Sequence, residues 1–245
     1  RLPRAARALD LLLVLYAREE GPYLENELEA VLADPARLGG VDLALCLEPT
    51  DNVLALGCVG SIHATFAFHG RSAHSARPWQ GENAIHRAGP LLAELLARPP
   101  RDARSGGHLF REVISATRAE GGRARNVVPD RFALNVNFRF APDRPLEAAA
   151  EELRALGARH GAEVTFVDLS PACPAWQDHP LVRRLLERTG VAAEPEDDLA
   201  PGHASGREIL ALAHRPGAVD RESFGATPHL QSDGPVDTGQ CVWDD

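Results

Sequence analysis

Three carboxylates stand where two short apolar runs end. Leu11 to Tyr16 is continuously apolar and leads through Ala17 and Arg18 into Glu19 and Glu20, while "VDLALCLEP", residues 41 to 49, ends in Glu48 before Pro49. Runs of this kind are the pattern of parallel strands buried on both faces, and ligands gather beyond the carboxyl ends of such strands. Two adjacent carboxylates raise each other's pKa in a dry site. A cation removes that conflict, because one carboxylate can ligate it while its neighbour takes a proton from metal-bound water. The same residues also read as ordinary solvated strand ends, and spacing leaves both readings open.

His74 lies in "GRSAHSARPWQGEN", a loop between a strand and a helix. It is either solvated or oriented by Arg71, Ser72, Ser75 and Arg77, a set that can hold an imidazole and bind a carboxylate. Arg139 alternates with Phe138 and Phe140 in a strand pattern; it either faces solvent or offers a fixed fork to a substrate carboxylate. Asn126 sits on the Gly-rich connection "GGRARNVVPD", which reads as a turn before a strand. The histidines of the tail, His179, His203, His214 and His229, have no ligand spacing, and the chain contains no GxSxG, Walker loop or GxGxxG.

The elements that must position these residues fall into two textures. The first is α/β, with apolar strands at residues 11–16 and 41–47 and a helix over residues 26–33 whose Leu28, Val31 and Leu32 share a face. The second begins near residue 59. "GSIHATFAFHG" sets Ile62, Ala64, Phe66 and Phe68 against Ser61, His63, Thr65 and His69, and "RFALNVNFRFAP" sets Phe132, Leu134, Val136, Phe138 and Phe140 on one face. Both alternations predict half-buried antiparallel strands. A helix over residues 83–100, facing inward through Ile85, Leu91, Leu92 and Leu95 and kinked at Pro90, a helix over Leu146–Leu156 and a last strand, "AEVTFVDLS", complete a βαββαβ ferredoxin-like order. Residues 181–190 predict a helix stopped by Gly190, and no closing strand is evident beyond it.

Composition narrows the function classes. With 44% apolar and 25% charged residues among 245, the chain has ordinary globular usage. A net charge of −9 argues against a nucleic-acid or anionic-membrane partner. No window reads as a membrane span or a secretion signal, so the expected location is cytoplasmic. Cys46, Cys58, Cys173 and Cys241 show no CxxC spacing and read as scattered thiols. The chain has no Met and opens at Arg1, and it is expected to lack its natural beginning.

Taken together, "LVLYAREEG", "LCLEPTDN", residues 57–87 from "GCVGSIHATF" to "ENAIHR" and "GGRARNVVPDRFALNVNFRFAPDR" resemble the di-zinc amidohydrolase family of aminoacylase, acetylornithine deacetylase, carboxypeptidase and succinyl-diaminopimelate desuccinylase. EPTDN, AHSARPW, NAIH and NFRFAPDR are most similar to the actinobacterial desuccinylase branch. The resemblance implies an α/β fold, a partial zinc-peptidase-like catalytic domain (residues 1–58 and an atypical 171–245) interrupted by a ferredoxin-like dimerisation domain (residues 59–170). It further implies two zincs, with cobalt an alternative, and a homodimer acting on a small N-acyl amino acid. Glu19 would be the general base, Glu20 and Glu48 metal ligands, and His74, Asn126 and Arg139 substrate contacts, His74 reaching into the partner's site. The implied reaction is hydrolysis of N-succinyl-LL-2,6-diaminopimelate; another amidohydrolase of the family, such as an acetylornithine deacetylase or dipeptidase, or a non-catalytic dimerisation module, are the alternatives. The family's first metal-binding segment precedes the Glu-Glu strand and is expected to be missing here. Near the other end, "FGATPHLQSDGPVDT" has Gln231 where the resemblance places a metal-ligating His, with His229 two positions earlier.

Overall fold

The order of elements is α1 (Leu28–Leu32), β1 (Leu54–Cys58), β2 (Gly60–His69), β3 (Ala73–His74), α2 (Ala84–Ala97), β4 (Arg101–Ser105), β5 (His108–Gly121), β6 (Val127–Val128), β7 (Arg131–Phe140), α3 (Leu146–His160), β8 (Glu163–Ser170), α4 (Pro180–Thr189) and β9 (Ala193–Glu196). The structure is a computed structural model, and it describes residues 12–18, 25–33, 41–46 and 53–196. Its centre is a five-stranded sheet in the order β4-β5-β7-β2-β8, antiparallel at every pairing. Four of those strands and the helices α2 and α3 form the expected βαββαβ unit; β4 is a fifth, edge strand hairpinned onto β5.

Period-two alternation builds the core. Ile62, Ala64, Phe66 and Phe68 of β2 and Phe132, Leu134, Val136, Phe138 and Phe140 of β7 are all buried on one face. Helices α2 and α3 cover that face with Ala84, Ala88 and Leu91 and with Ala149, Ala150, Leu153 and Leu156. On α2 the inward row is set by these small residues, with Leu95 beside them, whereas Ile85 and Leu92 are partly exposed. Alanine at the contact lets the helix lie close to the sheet, and it outranks the larger side chains as the packing seam. Asn83 starts this helix, its side chain accepting from the Ile85 and His86 N–H groups, and the helix continues through Pro90.

A second cluster joins Leu56 of β1, Ala103 of β4, Phe110 of β5, Ala141, Ala175 and Val182 of α4. Here β1 pairs in parallel with β9, a strand that "AEPE" does not advertise, because proline and glutamate are poor strand formers. Helix α4 ends at Gly190 as expected, and α3 runs four residues past Leu156. The first expected strand is not formed: residues 12–16 are not strand, and Leu12, Leu13 and Leu15 are 57, 76 and 84% exposed. Residues 41–46 are likewise not strand, although Leu43 touches the second cluster. A fully apolar strand needs neighbours on both edges and both faces.

Between the two clusters lies a carboxylate that alternation alone would not place inside. Glu112 follows Phe110 and precedes Ile114 on the buried face of β5, and its side chain is 4% exposed. Arg101 of β4 donates to it; Arg144, just after β7, donates through Nε and Nη2 at 2.9 Å each; the Ala141 N–H donates at 3.0 Å. Arg144 also reaches Glu152 of α3, which Arg98 meets from the end of α2, and Arg101 holds Asp143. Burial pushes the Glu112 carboxyl up, but hydrogen bonds from Arg101, Arg144 and Ala141 outweigh it and bring it down to about 2 from an ordinary 4.5.

Two outcomes are expected. Glu112→Gln should lower the unfolding free energy by about 3 kcal/mol, since it leaves two arginines facing a neutral group; an unchanged urea midpoint would contradict this. Because the folded pKa is depressed, the stabilisation is complete above about pH 4.5 and is lost as pH falls toward about 2. Urea titrations across that window should show a steeper decline for the native sequence than for the Gln variant, and parallel curves would count against the network.

Candidate functional site

His74 is held by backbone closure of the loop between β2 and α2. The loop closes on itself through reciprocal bonds between Arg71 and Glu82, each 2.8 Å. At its base Gly70 is required for close approach: a Cβ there would lie 2.2 Å from the Glu82 carbonyl oxygen. Gly70 N–H donates to Asp130 O (2.7 Å), Ser75 N–H to Asn126 O (2.9 Å) and Ala84 N–H to Pro129 O (2.9 Å). The short strands β3 and β6 pair between these ties, with His74 opposite Val127. The structure thus brings His74 and Asn126, far apart in sequence, to adjoining positions at one end of the domain.

The imidazole is oriented by the backbone rather than by the serines that flank it in sequence. The Ala76 N–H donates to His74 Nδ1 at 3.1 Å, which makes Nδ1 the acceptor and leaves Nε2–H as the outward donor of the neutral ring. Ser72 instead donates to Asp130 (2.8 Å) and accepts from Arg123 (3.0 Å). That hydroxyl bond, more than the Arg123 charge, holds the Asp130 carboxyl below its usual range. Arg71 Nε is committed to Gln80 O. Trp79, in a 3₁₀ turn over Pro78–Gln80, is 75% exposed beside this loop. Exposed donors from His74 and Asn126 with Arg77 and Arg123 nearby suit a carbonyl or carboxylate oxygen. The Ser72–Asp130–Arg123 clip and the Ala76 bond escape sequence reading because they depend on the turn, not on residue type.

Arg139 is elsewhere. It lies on the helix-free face of the sheet, between Ser61 of β2 and Val113 of β5. The His74 loop leaves β2 after His69, which pairs with Arg131, so eight residues, roughly 26 Å of strand, separate the two places. One chain does not bring Arg139 to His74 and Asn126. Its neighbour is His63, flanked by the amides of Asn135 (3.2 Å from Nδ1) and Asn137 (3.0 Å from Nε2). Burial, then the Arg139 charge, push the His63 imidazole below its ordinary value, so the ring is neutral and offers one donor and one acceptor. Both contacts are made by amide nitrogens, and each nitrogen has other acceptors, Thr117 Oγ1 (2.6 Å) for Asn135 and Ser61 Oγ and Ile62 O (3.3 Å each) for Asn137; the neutral ring accepts from one of the two.

Glu19, Glu20 and Glu48, and the tail with His229 and Gln231, lie outside the described residues. Among the described residues no group of three or more His, Cys, Asp or Glu side chains could hold a metal ion, and no helix is long and apolar enough to cross a membrane.

Residues 56–165 match the family model of the peptidase dimerisation domain, M20 type. The chain is 37% identical over 144 residues to the succinyl-diaminopimelate desuccinylase of Corynebacterium glutamicum, covering 59% of this chain and 39% of that protein. It is 30% identical over 211 residues to that of Xylella fastidiosa, covering 82% and 55%. A Mycobacterium tuberculosis protein that bears the same name provisionally is 33% identical over 181 residues, 74% of this chain and 51% of that one. The chain spans about half the length of the curated relatives it matches. Among solved structures, an M20 family metallo-carboxypeptidase from Sulfolobus solfataricus superposes with a TM-score of 0.51 at 13% identity, covering 62% of this chain and 55% of the other, a likeness of fold. Residues 56–165 are thus similar to an M20-type peptidase dimerisation domain, within a chain that is similar to the succinyl-diaminopimelate desuccinylases over part of their length.

Proposed function

We propose that this chain is part of a metal-dependent amide hydrolase that releases succinate from N-succinyl-LL-2,6-diaminopimelate, working as a homodimer in the cytoplasm. The observation that carries the reading is the 37% identity to the Corynebacterium glutamicum desuccinylase, together with a dimerisation domain whose loop holds His74 outward. On this reading residues 1–58 and 171–245 belong to the catalytic domain and 59–170 to the dimerisation domain.

The roles follow from what each group can do. Glu19 takes the proton of the attacking water and returns it to the leaving amine. Glu20 and Glu48 are the proposed ligands for zinc, or cobalt, whose contribution would be that of a Lewis acid at the scissile carbonyl. The His74 Nε2–H and the Asn126 amide donate to the carbonyl oxygen as negative charge develops on it. Arg139 receives a substrate carboxylate in its fork. Its distance from His74 within one chain supports a site completed by two subunits, one providing His74 and Asn126 and the other Glu19 and Arg139.

A second reading, a dimerisation module without hydrolysis, is favoured by one observation: the family model that matches residues 56–165 is that of a dimerisation domain. An acetylornithine deacetylase or a dipeptidase differs from the first reading in substrate alone. The test is succinate release by purified, zinc-supplemented protein, with N-acetylornithine and a dipeptide as comparison substrates. The succinylated diamine should be preferred, and absence of turnover on all three would leave the module reading.

If turnover is present, His74→Ala should reduce kcat by about 10²-fold, as loss of one oxyanion donor does, with the dimer intact by light scattering. Mixing His74→Ala with Glu19→Gln subunits should restore activity, because each heterodimer then contains one complete site. Mixtures as inactive as their components would place His74 in its own subunit's site, and the trans role would be lost.

A further inference from the structure

The chain enters the ferredoxin-like domain after β1 and leaves it after β8, and at those two points it carries a cysteine. Cys58 ends β1 and Cys173 follows β8, and the two form an antiparallel bridge across which each N–H donates to the other's carbonyl at 2.9 Å. Both side chains are thiols and both are half-buried. Residues directly opposed in such a pair point to the same face, and their Cα atoms are about 5.5 Å apart, inside the roughly 4.4–6.8 Å range that a disulfide spans.

The juxtaposition is enforced by packing. Gly57 has φ of +74°, and a Cβ at that position would lie 2.8 Å from both Cys173 O and Ala175 N, so the two segments meet as closely as backbone allows. Ala175 is buried in the second core cluster immediately beyond. Cys58 Sγ lies 3.2 Å from Val59 O and Cys173 Sγ 3.7 Å from Pro174 O, contacts in which a thiol is a weak donor. Rotation about χ1 carries each sulfur from its own chain's carbonyl toward the opposite strand.

We propose that Cys58 and Cys173 are a thiol–disulfide modification site, forming a reversible bond that ties together the entrance and exit of the dimerisation domain. The oxidant is a low-molecular-weight disulfide. The thiolate of one cysteine attacks it, giving a mixed disulfide and releasing one small thiol. The second cysteine then attacks the protein sulfur of that mixed disulfide, forming the Cys58–Cys173 bond and releasing the second small thiol. Two protein thiols lose two electrons and two protons, and one small disulfide becomes two thiols. Opposed Cβ atoms in a sheet sit about 4.5–5.5 Å apart, beyond the roughly 3.8 Å mean of relaxed disulfides. Closure therefore draws the strands together, and the bond is readily reduced, which suits a reversible tie rather than a permanent staple.

The test uses the full chain, treated with oxidised glutathione, quenched by alkylation and cleaved before aspartate without reduction. Cleavage at Asp51 separates Cys46 from Cys58, so mass spectrometry distinguishes every pairing in the native sequence without a variant. The expected result is one cross-linked peptide pair containing Cys58 and Cys173, abolished by reduction and retained in Cys46→Ser/Cys241→Ser. Full alkylation of both residues, separate glutathione adducts on each, or links to Cys46 or Cys241 instead, would overturn the proposal.

Discussion

The ladder between β2 and β7 runs without interruption from Gly60 opposite Phe140 to His69 opposite Arg131. Because side chains alternate faces, a slip of one residue would turn Ile62, Phe66, Phe68, Leu134, Val136 and Phe138 out to solvent and bring His63, Asn135, Asn137 and Arg139 against the helices. Burial of those aromatic and aliphatic side chains, each worth about 1.5–3 kcal/mol, makes the slip prohibitive. Register in turn fixes where every functional candidate lies. The His74 loop leaves from one end of the ladder, and Arg139 projects from the opposite face near its other end.

The Glu112 network has a different role. It replaces apolar contact at the joint between the two core clusters with directed bonds, linking β4, β5, the end of β7 and, through Glu152, the two helices. A buried carboxylate with two arginines is not a cheap source of stability, since desolvation offsets most of the attraction. Its value is directional: the guanidinium forks accept one arrangement of the surrounding chain. The same contrast separates the two ends of the domain, where His74 is held by backbone bonds of a glycine-closed loop and Cys58 and Cys173 by a single bridge.

Much of this was legible in the residues. Alternation identified β2 and β7 and their inward rows, and the apolar faces of α3 and α4 and the glycine after α4 were visible. β5 was harder, since arginine, glutamate and serine interrupt its apolar positions and its buried row includes Glu112. β4 and β9 are rich in charge or contain proline, and pair because neighbours offer them edges. The opposite error occurred at residues 12–16, where a continuous apolar run predicts burial that the described structure does not supply. Local pattern records what a segment can do if a partner exists; it does not record the partner.

The sequence by itself determined the antiparallel ferredoxin-like order, the polar composition of the His74 loop and the family resemblance, because these rest on period, residue type and motif. Tertiary structure alone decided that His74 adjoins Asn126 but not Arg139, that its Nδ1 is spent on a backbone N–H, that Glu112 is buried between arginines, and that Cys58 faces Cys173. Each of those depends on strand register and loop closure, which bring distant residues within a few ångströms through contacts that no local spacing encodes.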